Sequence, residues 1–128
     1  DEEDGVYFTE GFEGDFPPAG WTLTGDEYTH FSGTGTALWA QDSGNDYGPG
    51  FAASGDFCAF FNDYDYHSSA VGDMITPSID LSNSVDPRLY FSYADGGGSD
   101  FVDVQVSNPD GSFSSVYLTP TSTIGWED

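Results

Sequence analysis

Glycine and proline punctuate this chain from end to end, 17 and 7 of its 128 residues, and the apolar runs left between them are short. Segments of that length suit strands joined by turns better than helices. No stretch keeps a sustained helical period, and good helix formers are scarce. The runs are also rich in rings, since Phe, Tyr and Trp make up 17% of the residues. Large rings supply the burial that offsets chain entropy, which argues against disorder. One domain with one core, spanning 1–128, is the expectation at this length.

Strand candidates follow from alternation and from turn signals. They are Val6–Phe12, Trp21–Thr24, Tyr28–Phe31, Thr36–Ala40, the continuous apolar run Phe57–Phe61, Asp73–Thr76 ending at Pro77, Arg88–Tyr93, Phe101–Ser107 and Phe113–Leu118. Asn108-Pro109-Asp110-Gly111 predicts a tight turn between the last two, because proline presets its own φ and Gly111 accepts a positive one. About eight strands match the scale of a two-sheet sandwich. Such a sandwich would bury Phe57–Phe61 and Leu89–Tyr93 between its sheets, at about 2 kcal/mol for each large side chain.

The charge balance restricts partners. Twenty-three acidic residues face a single basic one, Arg88, for a formal net charge of −22. Such a surface repels nucleic-acid phosphates and anionic lipid, and it attracts cations. A self-repelling chain needs counterions to stay compact, so stability is expected to rise with salt or Ca²⁺. No apolar run approaches the roughly 18 residues of a membrane span, so no membrane insertion is expected. Cys58 is the only cysteine and reads as a small buried hydrophobe. Asp1-Glu2-Glu3-Asp4 reads as a mature terminus left after export and processing.

Four constellations bear on chemistry. Glu13, at a strand end beside the rigid loop Gly14–Gly20, is placed as a hard-cation ligand; the plainer reading is an exposed carboxylate beside Trp21. Asp42, Asn45 and Asp46, in the loop Asp42-Ser43-Gly44-Asn45-Asp46, offer oxygens for Ca²⁺, although the loop lacks the EF-hand spacing and closing glutamate. Read more plainly, it is a solvated Asx turn. Tyr64, Asp65 and Tyr66, joined by Tyr47 from the preceding loop, alternate rings and carboxylates in the manner of a sugar site; alternatively they close the rim of the core. Catalysis has no such support. There is no G-x-S-x-G elbow, no H-E-x-x-H and no phosphate loop, and His30 and His67 are too isolated in sequence for zinc.

Val6 through Trp21, read V-Y-F-T-E-G-F-E-G-D-F-P-P-A-G-W, resembles the opening of the cleaved-adhesin domains of secreted Bacteroidetes proteins. These are relatives of MAM-like jelly rolls and include the adhesin modules of gingipain-type proteases. The resemblance continues in order through Gly55–Ala59, Asp73–Ser82, Arg88–Tyr93 and Asp100–Ser107. It implies an all-β, two-sheet jelly-roll β-sandwich, extracellular or cell-surface display, and structural Ca²⁺ at the N-terminal edge. Carried over by position, Glu13 is the implied side-chain ligand and Asp56 another. A further ligand of the family, an acidic pair near its C-terminal strand, has no counterpart in a strand context here. Family members continue for more strands beyond the position of Asp128, so the sandwich is expected to be incomplete at its C-terminus. More polypeptide, a bound second fragment or a strand from a neighbouring subunit would complete it.

The expected function is therefore non-catalytic adhesion or binding outside the cell, directed at a glycan, an extracellular protein or sister subunits. Two alternatives stand beside it. One is a structural subunit of a surface fibre, or a spacer completed by another chain. The other is a carbohydrate-binding accessory module of a secreted hydrolase.

Overall fold

The computed structural model describes residues 6–30, 33–44, 48–62, 66, 70–96, 100–120 and 125–128. Every named element among them is a strand: β1 (Thr22–Gly25), β2 (Glu27–His30), β3 (Gly33–Thr36), β4 (Ala40–Asp42), β5 (Cys58–Phe60), β6 (Gly72–Ile75), β7 (Asp103–Ser107) and β8 (Phe113–Leu118). They form four antiparallel pairs, β1–β6, β2–β3, β4–β5 and β7–β8. The protein is all-β. Among the described residues no helix is long and apolar enough to cross a membrane.

The chain divides into two compact units, one of Asp1–Ser43 with Ser54–Arg88 and one of Gly44–Ala53 with Leu89–Asp128. The aromatic run at Phe57–Phe61 lies in the first and Leu89–Tyr93 in the second.

The first unit is tied together around Ala37, whose side chain is fully buried. Its N–H donates to the Asp26 carbonyl at 2.8 Å, and the Asp26 N–H donates to Val71 O at 2.9 Å. The Asp26 carboxylate returns the bond by accepting the Val71 N–H at 2.9 Å. Gly25 and Gly72 face each other in the β1–β6 register. A Cβ on Gly25 would overlap the Ala37 carbonyl oxygen, and one on Gly72 would overlap the Phe61 ring. Paired glycines here admit another backbone where any side chain would exclude it. Next to this crossing, the Trp39 ring packs on Phe61 at 5.7 Å, and Phe61 packs edge-on to Tyr66 at 5.1 Å. Tyr28 closes the cluster against Tyr66 at 4.9 Å. The Trp39 indole N–H donates to Gly72 O at 2.8 Å, which satisfies its one polar atom.

A second aromatic group holds the N-terminal segment. Trp21 lies 5.8 Å from Phe8 and 5.5 Å from Phe12, and Phe12 lies 5.9 Å from Phe16. Val6–Phe12, expected as a strand, carries no ladder. Its rings stack on Trp21 instead, and Phe12 adopts φ 61°, which breaks an extended run. The segment expected as one strand over Thr36–Ala40 is likewise split between β3 and β4, because Ala37 and Trp39 turn their donors to Asp26 and Gly72.

The second unit is built on the β7–β8 hairpin. Its turn is the one the sequence predicts. The Gly111 N–H donates to Asn108 O at 2.9 Å, and the Asn108 N–H donates to Ser112 O at 2.7 Å. Gly111 has φ 90°. The register runs Val104↔Tyr117 and then Gln105↔Ser115, so Val116 is the extra residue of a bulge. All six residues of β8 are exposed, on both faces of the strand. In Arg88–Tyr93, expected as a strong strand, the β-bridge among the described residues is at its end, where Tyr93 pairs antiparallel with Glu127. Among the described residues no large side chain is fully buried.

Candidate binding cleft

Of the acidic residues singled out for cation binding, the structure brings Glu13 to Asp56, but through the backbone. One Glu13 oxygen accepts the Asp56 and Phe57 N–H groups at 3.1 and 3.0 Å, and the other accepts the Asp56 N–H at 3.0 Å. The flanking carbonyls of Phe12 and Gly14 accept from one donor, the Gln41 side-chain amide, at 2.7 and 2.8 Å. These oxygens are turned toward N–H groups. As arranged, they fit hydrogen-bond donors rather than a cation. Asp42 stands in β4 opposite Cys58, and its carboxylate accepts the N–H of the next residue, Ser43, at 2.7 Å. Among the described residues no three His, Cys, Asp or Glu side chains gather in a way that could hold a metal ion. Asn45 and Asp46 lie outside the described residues.

The Cys58 thiol donates to Asp42 O at 3.4 Å. Burial pushes its pKa up, and the neighbouring Asp42 charge adds to the rise. A thiol held protonated in this way suits a packing role better than a nucleophilic one.

Of the residues singled out for sugar binding, Tyr47, Tyr64 and Asp65 lie outside the described residues. Tyr66 is described and is spent on packing. Its ring contacts Tyr28 and Phe61, and its hydroxyl donates to Leu38 O at 2.8 Å.

An open cleft of about 640 Å³ lies in the second unit. One wall is the segment Leu89–Tyr93; Val104, Val116, Tyr117 and Asp128 complete it. The bulge explains how Val116 and Tyr117, adjacent in sequence, both reach the cleft, since neighbours on a regular strand point to opposite faces. Phe91 packs on Tyr93 at 6.0 Å and edge-on to Tyr117 at 6.2 Å. Tyr90 is 83% exposed and Leu89 64%. Asp128 accepts a hydrogen bond from the Ser92 hydroxyl.

The Tyr93 hydroxyl is held above the usual tyrosine range. Partial loss of solvent is the largest cause, followed by a hydrogen bond with Tyr117 and the charges of Tyr117, Glu127 and Asp95. At neutral pH Tyr93 therefore stays a neutral donor. The cleft presents ring faces and aliphatic side chains, with hydroxyls and one carboxylate as its polar groups. Such a surface desolvates well against another protein but offers few partners to a hydroxyl-rich ligand.

Sequence reasoning passed over Tyr90, Tyr93 and Tyr117 because Arg88–Tyr93 reads as a core strand. The available signal was the tyrosines themselves, whose polar tips favour interfaces over closed cores. Compared with protein-family models, curated proteins and solved structures, the chain matches none of them.

Proposed function

We propose that this chain is an extracellular, non-catalytic adhesion module of the jelly-roll β-sandwich type, and that the aromatic cleft of its second unit engages a protein partner. The carrying observation is the cleft itself, a run of ring faces and aliphatic groups left open to solvent. Large exposed apolar patches cost solubility, and on soluble proteins they commonly mark interaction sites. The lining favours a protein over a glycan, since its side chains are mostly rings and aliphatic groups, with Ser92, the tyrosine hydroxyls and Asp128 as the polar ones. An acidic surface of this magnitude keeps such a module apart from nucleic acid and anionic membrane.

The test is retention of the purified chain on collagen- and mucin-coated surfaces, compared with Tyr90→Ala and Tyr117→Ala. Truncating an aromatic anchor at an interface typically costs 2 kcal/mol or more, so retention should fall by about tenfold or more with the circular-dichroism spectrum unchanged. Equal retention of parent and variants would overturn the assignment of the cleft.

A further inference from the structure

One peptide bond of the chain is chemically weaker than its neighbours. Of the seven prolines, Pro87 is the one that follows an aspartate. A proline nitrogen carries no hydrogen and is more basic than an ordinary amide nitrogen, so it departs more readily once protonated. The aspartate before it supplies the other half of the reaction. Its carboxyl can attack the carbonyl carbon of its own residue, because that attack closes an unstrained five-membered ring, and tethering makes the step intramolecular. Asp86 lies in a bend, and Pro87 is in neither strand nor helix. The Asp86 side chain is 71% exposed and Val85 fully so, which leaves the bond open to water.

A restraint is built in beside it. Arg88, the single basic residue of the chain, donates from Nε and Nη2 to one oxygen of Asp86, at 3.1 and 2.8 Å. The bond breaks only as the carboxyl gives up a proton to the departing nitrogen, and a protonated carboxyl makes no ion pair. Cleavage must therefore first release the Arg88 contacts.

The topology decides what a break does. The second unit is assembled from Gly44–Ala53 and Leu89–Asp128, which lie on opposite sides of Asp86–Pro87 in the sequence. Within that unit the Trp126 indole N–H donates to Phe51 O at 2.8 Å, joining the two stretches. Each fragment thus carries one part of the second unit.

We propose that Asp86–Pro87 is a self-cleavage site restrained by Arg88, and that its cleavage turns the chain into two fragments clasped through the second unit. In the step, the Asp86 carboxyl oxygen bonds to the Asp86 carbonyl carbon and the bond from that carbon to the Pro87 nitrogen breaks. The carboxyl proton passes to the nitrogen, leaving a cyclic anhydride at Asp86. One water then opens the anhydride to two carboxyl groups, so the net change is hydrolysis and no oxidant or cofactor takes part.

The experiment incubates the whole chain at the lowest pH that preserves the neutral circular-dichroism spectrum and a clear solution, and follows fragments by intact mass. The expected products are 1–86 and 87–128. Asp86→Glu, which keeps the charge but needs a larger ring, should block them. Arg88→Gln should cleave about two- to fivefold faster than the parent, the small factor that an exposed ion pair can supply. In urea, where the pair is lost with the fold, parent and Arg88→Gln should cleave alike. Returned to neutral pH, the two fragments should co-elute in size-exclusion chromatography and separate in guanidinium. Cleavage that survives Asp86→Glu, or none at this bond, would overturn the self-cleavage site. Equal rates for parent and Arg88→Gln in the folded protein, or the same acceleration in urea, would overturn the restraint. Fragments that part without denaturant would overturn the clasp.

Discussion

Replacing Glu13 by alanine removes a carboxylate that reaches across 43 residues of sequence to hold the turn before β5. The bonds lost are those from the Asp56 and Phe57 N–H groups, at 3.0 to 3.1 Å. A hydrogen bond to a charged group is worth about 1.5–3 kcal/mol net. Glu13 is exposed, and both amides can turn to water once it is gone, so the loss sits at the lower end, about 2 kcal/mol for the pair. For a unit of this size each kcal/mol moves the melting midpoint by about 4–8 °C, giving a fall of roughly 10 °C.

The assay is thermal unfolding followed by tryptophan fluorescence in a Trp126→Phe background, so that Trp21 and Trp39 report on the first unit alone. Gly55 supplies an internal control. It has φ 65°, and a Cβ there would overlap a Glu13 carboxylate oxygen. Gly55→Ala should cost more in the parent than in the Glu13→Ala background, where only the positive φ, about 1 kcal/mol, remains to be met. A coupling of about 1 kcal/mol is expected between the two sites. An unchanged midpoint for Glu13→Ala, or additive effects in the double variant, would refute the clamp.

The Asp103 carboxyl is held low, mainly by the Ser115 hydroxyl and then by Gln105, and the Asp110 carboxyl mainly by the Ser112 hydroxyl and then its N–H. A folded-state pKa below the unfolded one favours the charged form, so this stabilisation is complete above the ordinary value near 4 and is lost as pH falls through the lower folded value. Carbon-detected NMR titration should show both carboxyls titrating below a free aspartate, with Ser112→Ala returning Asp110 toward the ordinary value. Cys58 should react with iodoacetamide more slowly at pH 8 than a free cysteine, and Asp42→Asn should recover part of the rate, because burial and then the Asp42 charge raise the thiol pKa. With a net charge of −22, the melting midpoint should rise with sodium chloride. Ca²⁺ and Mg²⁺ at matched ionic strength should act alike, and Glu13→Ala should leave that increment intact. A calcium-specific rise abolished by Glu13→Ala would instead place an ion where the amides of Asp56 and Phe57 and the Gln41 side chain now stand.

Much of the secondary structure was legible because local chemistry decides it. The span of β8, Phe113–Leu118, coincides with the predicted one, since proline, Asp110 and Gly111 specify the turn that starts it. Trp21–Thr24 and Asp73–Thr76 fall within one residue of β1 and β6 for the same reason. The expectations that diverged depend on distant partners. Val6–Phe12 has strand composition, but its rings find Trp21, and a ladder needs an edge that composition does not reveal. Arg88–Tyr93 has the pattern of a buried strand, and pattern alone does not state whether another strand lies alongside. Glu13 could be marked as a carboxylate with a purpose. Whether it faces an ion or a pair of amides depends on residues 55–57, whose approach the local sequence does not encode.

The crossing at Ala37 restricts the length of the chain more than its spelling. Its carbonyl oxygen sits over a facing pair of residues without side chains, and the indole two positions later is fastened to one member of that pair. Exchanging the side chains that point away from this saddle leaves the fit untouched. Adding or deleting a single residue between β3 and β4 would slide the strap off its seat and unfasten the indole in the same stroke. Insertions are therefore better accommodated in the hairpin tip at Asn108–Gly111, where the turn bonds only to itself and its immediate neighbours.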